Sequence, residues 1–269
     1  MSSSVVVMES GDAIVKTRIR PVAMLRRLGA GVLDLIYPPA CLDCGAPTAS
    51  ADALCPACFK KLRPITAPYC PRLGIPFEVA LGPDALSAEA IADPPPFERS
   101  RSAVLYNEVA RTLVSRMKYG DRPELAGFCA RLMAVAGHEL WHDTPVLVPV
   151  PLHFSRQFER RYNQSTELAR ALARRQGLSI DATLVRRTRR TRQQVGLSAD
   201  ARQRNVSGAF AVHPDAVRRL NGRGVVLVDD VITTGSTVKA ITRALNKAGI
   251  YKVDVISFAR VVVGGNTPI

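Results

Sequence analysis

The feature that most restricts the fold of this chain lies near its C-terminal end. There, four apolar β-formers, Val225-Val-Leu-Val228, follow the turn-rich Asn221-Gly-Arg-Gly224. A short unbroken apolar run bounded by turn residues fits a strand covered on both faces, and such strands belong to parallel sheets. The run ends on Asp229-Asp230. It then passes through Thr233-Thr234-Gly235-Ser236-Thr237 into a helical pattern carried by Val238, Ile241 and Leu245 and stopped at Gly249. Strand, acidic pair, hydroxyl-rich turn and helix, in that order, make an anion site. The helix start supplies backbone N–H groups, the hydroxyls add donors, and the glycine permits close approach. The turn is not a Walker A loop, because G-x4-G-K-[ST] is missing and Lys239 comes after the turn. Adjacent carboxylates repel a phosphate, so Asp229 and Asp230 are expected to face sugar hydroxyls or a Mg²⁺ carried by the ligand. A plain Asp-rich N-cap accounts for one Asp and one Thr, but not for the whole run.

Charge singles out a second region. The 269 residues include 37 Lys plus Arg against 23 Asp plus Glu, a net charge of +14. Residues 151–224 carry sixteen basic side chains, all Arg, against five acidic ones, so +11 of the excess lies there. The planar fork of Arg matches phosphate oxygens two at a time. A GC-rich coding bias explains the choice of Arg over Lys, but not the clustering. An anionic partner is expected: nucleic acid, anionic lipid or phosphate esters. Hydrophobic residues at 47% and charged residues at 22% exclude a disordered or collagen-like chain. No apolar run approaches the ~18 residues of a spanning helix. Met1 to Met8 lacks the basic and apolar regions of a signal peptide, so a cytoplasmic protein is expected. Ile14 to Ile36 is apolar on one helical face and reads as an amphipathic helix docked on its own protein rather than on a membrane surface.

The cysteines supply a separate chemistry. Cys41-Leu-Asp-Cys44 and Cys55-Pro-Ala-Cys58 are two C-x2-C knuckles, and in a reducing compartment such pairs hold a metal rather than disulfides. A zinc ribbon is the direct reading, closed by Cys41, Cys44, Cys55 and Cys58 and therefore structural. A redox dithiol needs only one pair. Cys70-Pro-Arg-Leu73-Gly74 begins a further knuckle but has Leu in place of the second thiolate, so a second zinc is not expected. Cys129 reads as a small packed hydrophobe in a helix over Glu124 to Trp141. That helix would also carry His138-Glu-Leu-Trp-His142, which fits the metalloprotease pattern H-E-x-x-H. Its extension fails at Pro145 and Val148, and the short pattern alone does not carry a protease reading.

Val225 to Thr237 resembles the phosphoribosyl-pyrophosphate (PRPP) motif of type I phosphoribosyltransferases. Further segments narrow the resemblance: the cysteine knuckles, Pro94-Pro-Pro-Phe97, Lys118-Tyr119, Val148-Pro-Val-Pro-Leu-His153, Arg160-Arg-Tyr-Asn-Gln164, and Gln194-Val-Gly-Leu197 through Arg204-Asn-Val-Ser-Gly-Ala-Phe210. Together, over roughly residues 30 to 263, they resemble the ComF family of double-zinc-ribbon, phosphoribosyltransferase-like proteins linked to competence. The resemblance implies that Asp229 and Asp230 meet the ribose hydroxyls and act at the reacting centre. It implies that Thr233, Thr234, Gly235, Ser236 and Thr237 hold the 5-phosphate. Val150, Pro151, Leu152 and His153 would form the pyrophosphate loop, with Arg156, Arg160 and Arg161 nearby. Gln194, Arg202, Arg204 and Asn205 would lie on a mobile loop over the ligand. Where the family has Gly in Arg-Gly-Phe-Asn-Gln, this chain has Arg161.

The chemistry so implied is Mg²⁺-dependent displacement of pyrophosphate from ribose C1 of PRPP, the acidic pair meeting positive charge on the sugar and Arg plus Mg²⁺ meeting the leaving group. No segment reads as a nucleobase pocket, so the acceptor is open. The alternative is a non-catalytic protein that binds PRPP or handles single-stranded DNA in uptake or repair. The basic stretch offers few aromatics for stacking, only Phe154, Phe158, Tyr162 and Phe210, which favours a small phosphorylated ligand.

The fold expected is an α/β domain of the type I phosphoribosyltransferase kind, with a mostly parallel sheet flanked by helices and a small zinc ribbon before it. The expected division is a helical segment over 1–40, a ribbon over 41–96 and the α/β domain over 97–269. Strands are predicted at Ala103–Tyr106, Val146–Pro149, Val225–Asp229 and Lys252–Ala259. Helices are predicted at Val109–Tyr119, Glu124–Trp141, Asn163–Gln176 and Ser236–Ala248.

Overall fold

A computed structural model describes residues 38–82, 84–119, 123–152, 163–189 and 208–262. The predicted N-terminal helix, Ile14 to Ile36, lies outside the described residues. Two short helices, α1 (Pro56–Lys61) and α2 (Ala88–Ala92), belong to the cysteine-rich segment. Next come β1 (Ser100–Leu105), α3 (Glu108–Tyr119), α4 (Pro123–Ala136), β2 (Val146–Pro149) and α5 (Gln164–Gln176). The chain continues through β3 (Ser179–Ile180), β4 (Val185–Arg187), β5 (Phe210–Val212), α6 (Ala216–Leu220), β6 (Val225–Ile232), α7 (Ser236–Lys247) and β7 (Val253–Arg260).

The main sheet has five strands in the order β1-β7-β6-β2-β3, every pair parallel, while β4 and β5 form a separate antiparallel pair. The period of two along each strand sorts its side chains between two cores. Leu147, Val226, Val228, Ile256 and Phe258 join one layer with α4 and α5. Val146, Val148, Val225, Leu227, Val253 and Val255 join the other with Val238, Ile241 and Leu245 of α7. Because both faces are covered, β2 and the first half of β6 read as continuous apolar runs rather than alternating ones.

The cysteine-rich segment is divided between these layers. Cys41, Leu42, Leu54, Cys58 and Leu62 share the core of α3, α4 and α5, whereas Cys70, Leu73, Ala90 and Phe97 share the core of α7. The chain that joins the two halves runs antiparallel along the free edge of β1. Ile65 N–H donates to the Ala103 carbonyl at 3.0 Å, and Leu105 N–H to the Arg63 carbonyl at 2.8 Å. An edge strand is thereby covered by its own protein.

Three predicted elements need correction. The strand read over Ala103–Tyr106 spans Ser100–Leu105, because Ser100, Arg101 and Ser102 already pair with Val255, Ile256 and Ser257 of β7. The helix read over Glu124–Trp141 ends at Ala136, and His138–Leu140 is a separate 3₁₀ turn. Gly137 makes the break, and the Trp141 ring folds back against it, its indole N–H donating to the Ala134 carbonyl at 3.0 Å. The strand read as ending at Asp229 continues to Ile232, because Val231 and Ile232 still pair with Ala259 and Arg260 of β7.

Gly74 sits where the segment turns against the start of β1. Its φ is +66°, and an added Cβ would lie 2.4 Å from the Ser100 carbonyl oxygen. Gly45 has φ +78° with open space around it. Gly74→Ala is therefore expected to cost ~2–4 kcal/mol in denaturant unfolding, and Gly45→Ala only about 1 kcal/mol. Equal costs would contradict the close approach at β1.

Candidate functional site: an acidic pair and a hydroxyl-rich turn at the sheet edge

Asp229 and Asp230 lie on β6, the central strand, just beyond its most buried stretch. Asp229 Oδ1 accepts the Asp230 N–H at 2.9 Å and the Ser165 hydroxyl at 3.2 Å. Asp230 Oδ1 accepts the Val231 N–H at 2.7 Å, and its Oδ2 lies 3.0 Å from Lys118 Nζ at the end of α3. Burial, and next the charge of Asp230, push the Asp229 carboxyl up to about 8, while the Asp230 N–H, Lys118 and Ser165 pull against the rise. Its Oδ1 takes both the Asp230 and Ser165 donors, which among the described residues leaves Oδ2 for a proton or a ligand hydroxyl.

The turn after β6 fits the anion site expected from sequence. Gly235 is the N-cap of α7 with φ +72° and has no side chain to cap the helix start. The Ser236 N–H, at the start of this 12-residue helix, donates to Thr234 Oγ1 at 3.4 Å, so the turn's hydroxyls and the helix N-terminus lie together where an anion is favoured. Thr233 and Thr234 are exposed, and the Thr234 and Ser236 hydroxyls are 2.7 Å apart. Thr237 and Ser236 open the helix. Lys239, one turn in, points to Asp93 of the cysteine-rich segment at 2.7 Å.

The predicted pyrophosphate loop begins beside the acidic pair. Val150 N–H donates to the Val228 carbonyl at 2.9 Å, and Val150 is buried, with Pro151 and Leu152 half-buried after it. Asn163 Nδ2 donates to the Val150 carbonyl at 3.0 Å, and Asn163 Oδ1 caps α5 by accepting the Ser165 N–H at 3.0 Å. Asn163 thus joins the loop's first residue to the helix that presents Ser165 to Asp229. His153, Arg156, Arg160, Arg161, Gln194, Arg202, Arg204 and Asn205 lie outside the described residues. The residues that sequence reasoning missed are Lys118 and Ser165. Both stood in or beside quoted motif segments, but neither carries a local pattern that points to Asp229 or Asp230.

The four cysteines converge as their spacing requires. The sulfurs of Cys41, Cys44, Cys55 and Cys58 all lie within 4.8 Å of one another, and Cys44 Sγ is 3.7 Å from Cys55 Sγ. Tetrahedral zinc with Zn–S near 2.3 Å places its sulfurs about 3.8 Å apart, so the donor set fits structural zinc. Burial alone would raise the Cys41 thiol, but backbone N–H groups of Cys55, Cys44 and Asp43 outweigh it and bring it down to about 6. A thiolate favoured in this way suits a metal ligand.

The second half of the segment repeats this layout without the ligands. Cys41 N–H donates to the Ala46 carbonyl and Gly45 N–H to the Cys41 carbonyl; likewise Cys70 N–H donates to Ile75 and Gly74 N–H to Cys70. Isolated bridges Ala40 to Pro47 and Tyr69 to Pro76 match as well. Cys55 precedes α1 as Ser87 precedes α2, so the positions of Cys41, Cys44, Cys55 and Cys58 correspond to Cys70, Leu73, Ser87 and Ala90. All four of the latter are buried. Packing of Leu73 and Ala90, with hydrogen bonds between Ser87 and Cys70, stands where the first half has thiolates.

The H-E-x-x-H pattern is accounted for structurally. His138 and His142 are not on one helix, and Glu139 Oε1 accepts from Arg101 Nε at 2.5 Å.

Sequence comparison agrees with this architecture. A double zinc ribbon domain family matches residues 32–91, and a phosphoribosyl transferase domain family matches residues 140–264. Fold and site together define a phosphoribosyltransferase-type α/β domain preceded by a zinc ribbon. The chain belongs to the ComF family. It is 32% identical over 232 residues to the DNA utilization protein YhgH of Salmonella typhimurium, covering 84% of this chain and 99% of that one. It is 30% identical to competence protein F of Haemophilus influenzae, over 82% of this chain and 96% of that one. Competence protein ComFC of Bacillus subtilis is 26% identical over 74% and 80% of the two chains.

Native mass spectrometry is expected to find one zinc per chain, lost from Cys44→Ser with Cys55→Ser. None, or two, would contradict the division of the segment into a thiolate half and a packed half. Asp229 binds its proton more tightly folded than unfolded, since its carboxyl rises from 3.8 to about 8. Wild-type stability should therefore fall as pH rises from about 4 to 8 and level off above. Asp229→Asn, which mimics the protonated form, should raise stability at pH 8 by about 1–2 kcal/mol, allowing for solvent at this half-buried site. Thermal unfolding at pH 4 and pH 8 reads the difference, and a variant less stable than wild type at pH 8 would contradict it.

Proposed function

We propose that the chain binds PRPP with Mg²⁺ at the end of β6 and displaces pyrophosphate from ribose C1 in favour of an acceptor nucleophile. The observation that carries this reading is the pairing of a hydroxyl-rich helix start, N-capped by Gly235, with a half-buried acidic pair at the C-terminal edge of a parallel sheet, where ligands of such sheets bind. The 5-phosphate would take the N–H groups of α7 and the hydroxyls of Thr233, Thr234, Ser236 and Thr237, with Gly235 allowing close approach. The ribose hydroxyls would hydrogen-bond with Asp229 and Asp230, and the negative charge that the pair carries favours the cationic character that develops at C1. The pyrophosphate would sit over Val150–His153 with Arg156, Arg160 and Arg161, and Mg²⁺ would supply further neutralisation of the leaving group. Gln194, Arg202, Arg204 and Asn205 would close over the ligand. The division into a ribbon over 41–96 and a phosphoribosyltransferase-like domain over 97–269 goes with this reading.

A second reading is favoured by the names of the relatives, a DNA utilization protein and two competence proteins. On it, the same site holds PRPP or a strand's phosphates without transfer, as part of DNA handling. The two separate on pyrophosphate release in the presence of candidate acceptors.

Calorimetric titration of PRPP with Mg²⁺ is expected to show one site, weakened at least ~100-fold in the Asp229→Asn, Asp230→Asn double variant, as loss of hydrogen bonds to charged groups implies. Unchanged affinity would remove the assigned site. In the DNA reading, single-strand affinity should fall steeply with salt and lose slope when Arg156, Arg160 and Arg161 are replaced together.

A further inference from the structure

Lys118 lies outside the segment matched by the phosphoribosyl transferase family, which begins at residue 140, yet its ammonium is 3.0 Å from Asp230 Oδ2. The helix that carries it is held by the zinc ribbon along its length. At its start, Asn107 caps α3 by accepting the Ala110 N–H at 3.0 Å and donates through Nδ2 to the Lys61 carbonyl at 2.6 Å. Near its end, Arg116 Nη1 donates to the Leu42 carbonyl at 2.7 Å. Leu42 lies inside the first knuckle, between Cys41 and Cys44. Between these two ties, Leu113, Val114 and Met117 share a core with Leu42, Leu54, Cys58 and Leu62 of the ribbon. Arg116 and Lys118 are two residues apart, so one short stretch of α3 touches the metal knuckle on one side and the acidic pair on the other.

We propose that Lys118 is a positioning residue of the ligand site, and that the zinc ribbon serves that site by holding α3 so that Lys118 meets Asp230. The proposal rests on the PRPP reading for the identity of the ligand, but not for the coupling itself. Two adjacent carboxylates at the end of a strand need a counter-charge to keep a fixed arrangement before a ligand arrives. Lys118 supplies it to Asp230, which keeps Asp230 turned toward α3 while Asp229 is held by Ser165. A ribose that donates hydroxyls then meets acceptors already in place, so less ordering is needed on binding. The Lys118 side chain is 28% exposed, which leaves it within reach of a ligand oxygen. This gives the ribbon a task beyond local stability: it fixes one member of a site whose other members come from β6 and α5.

The test combines a double-variant cycle with rescue, on the full chain. Lys118→Met should weaken binding of PRPP with Mg²⁺ about tenfold or more, and Lys118→Arg should return it to within about threefold of wild type. Once Asp230→Asn is present, Lys118→Met should have little further effect on affinity. Arg116→Ala leaves Lys118 itself intact and should weaken binding by about three- to fivefold with one zinc still bound. The same cycle read by thermal unfolding does not need the ligand, so it separates failure of this proposal from failure of the PRPP reading. There, Lys118→Met should lower Tm in wild type but hardly at all beside Asp230→Asn. Additive Tm losses, or an Arg variant no better than Met, would overturn the role of Lys118. Full affinity in Arg116→Ala would overturn the role of the ribbon.

Discussion

Two carboxylates side by side at the end of a central strand constrain everything built around them. Neighbouring acids in a half-buried place cannot both carry charge without a partner. Here β6, flanked by parallel strands on both sides, carries Asp229 and Asp230 to where two helices meet them. Ser165 from α5 donates to the first acid, Lys118 from α3 pairs with the second, and the Asp230 amide turns back on Asp229. Burial and the charge of Asp230 still push the Asp229 carboxyl well above the usual carboxylate range. Such an arrangement is costly to keep and makes physical sense where a ligand offers hydroxyl donors and developing positive charge.

The cysteine-rich segment is best understood from the same sheet. Its two halves straddle the β1 edge, one packing against the α3–α4–α5 layer and the other against α7. The first half keeps four thiolates; the second keeps the turn, the bridge and the helix start but fills its centre with Cys70, Leu73, Ser87 and Ala90. A small module that shares a core with a larger domain does not need a metal of its own, because apolar burial against that domain replaces the stabilisation zinc supplies. Gly74, pressed against Ser100, marks how closely that second half is docked.

Much of this was legible in the chain, and the exceptions have physical reasons. Val146–Pro149 coincides with its predicted strand, and β6 follows its prediction over Val225–Asp229, because strands buried on both faces are continuous apolar runs; β7 follows its prediction closely although Asp254 and Ser257 interrupt its apolar residues. The acidic pair and hydroxyl turn were legible because they are contiguous. Lys118 was not, because its meaning depends on a contact with a strand far along the sequence. The short β3, β4 and β5 escaped notice since two or three residues show no period. The helix boundary at Ala136 was misplaced because Trp141 looked like one more apolar residue in register, whereas its ring folds back on Gly137. The second ribbon half was visible at Cys70 and Gly74 but not at Ser87 and Ala90, since residues that have replaced metal ligands carry no ligand signature.

The most direct measurement is a crystal structure of the protein with PRPP and Mg²⁺. The expected result places the 5-phosphate within hydrogen-bond distance of the Thr233–Thr237 turn and the ribose hydroxyls on Asp229 and Asp230, with Lys118 still beside Asp230. A 5-phosphate bound away from that turn, with the acidic pair untouched by sugar, would contradict the account at its centre.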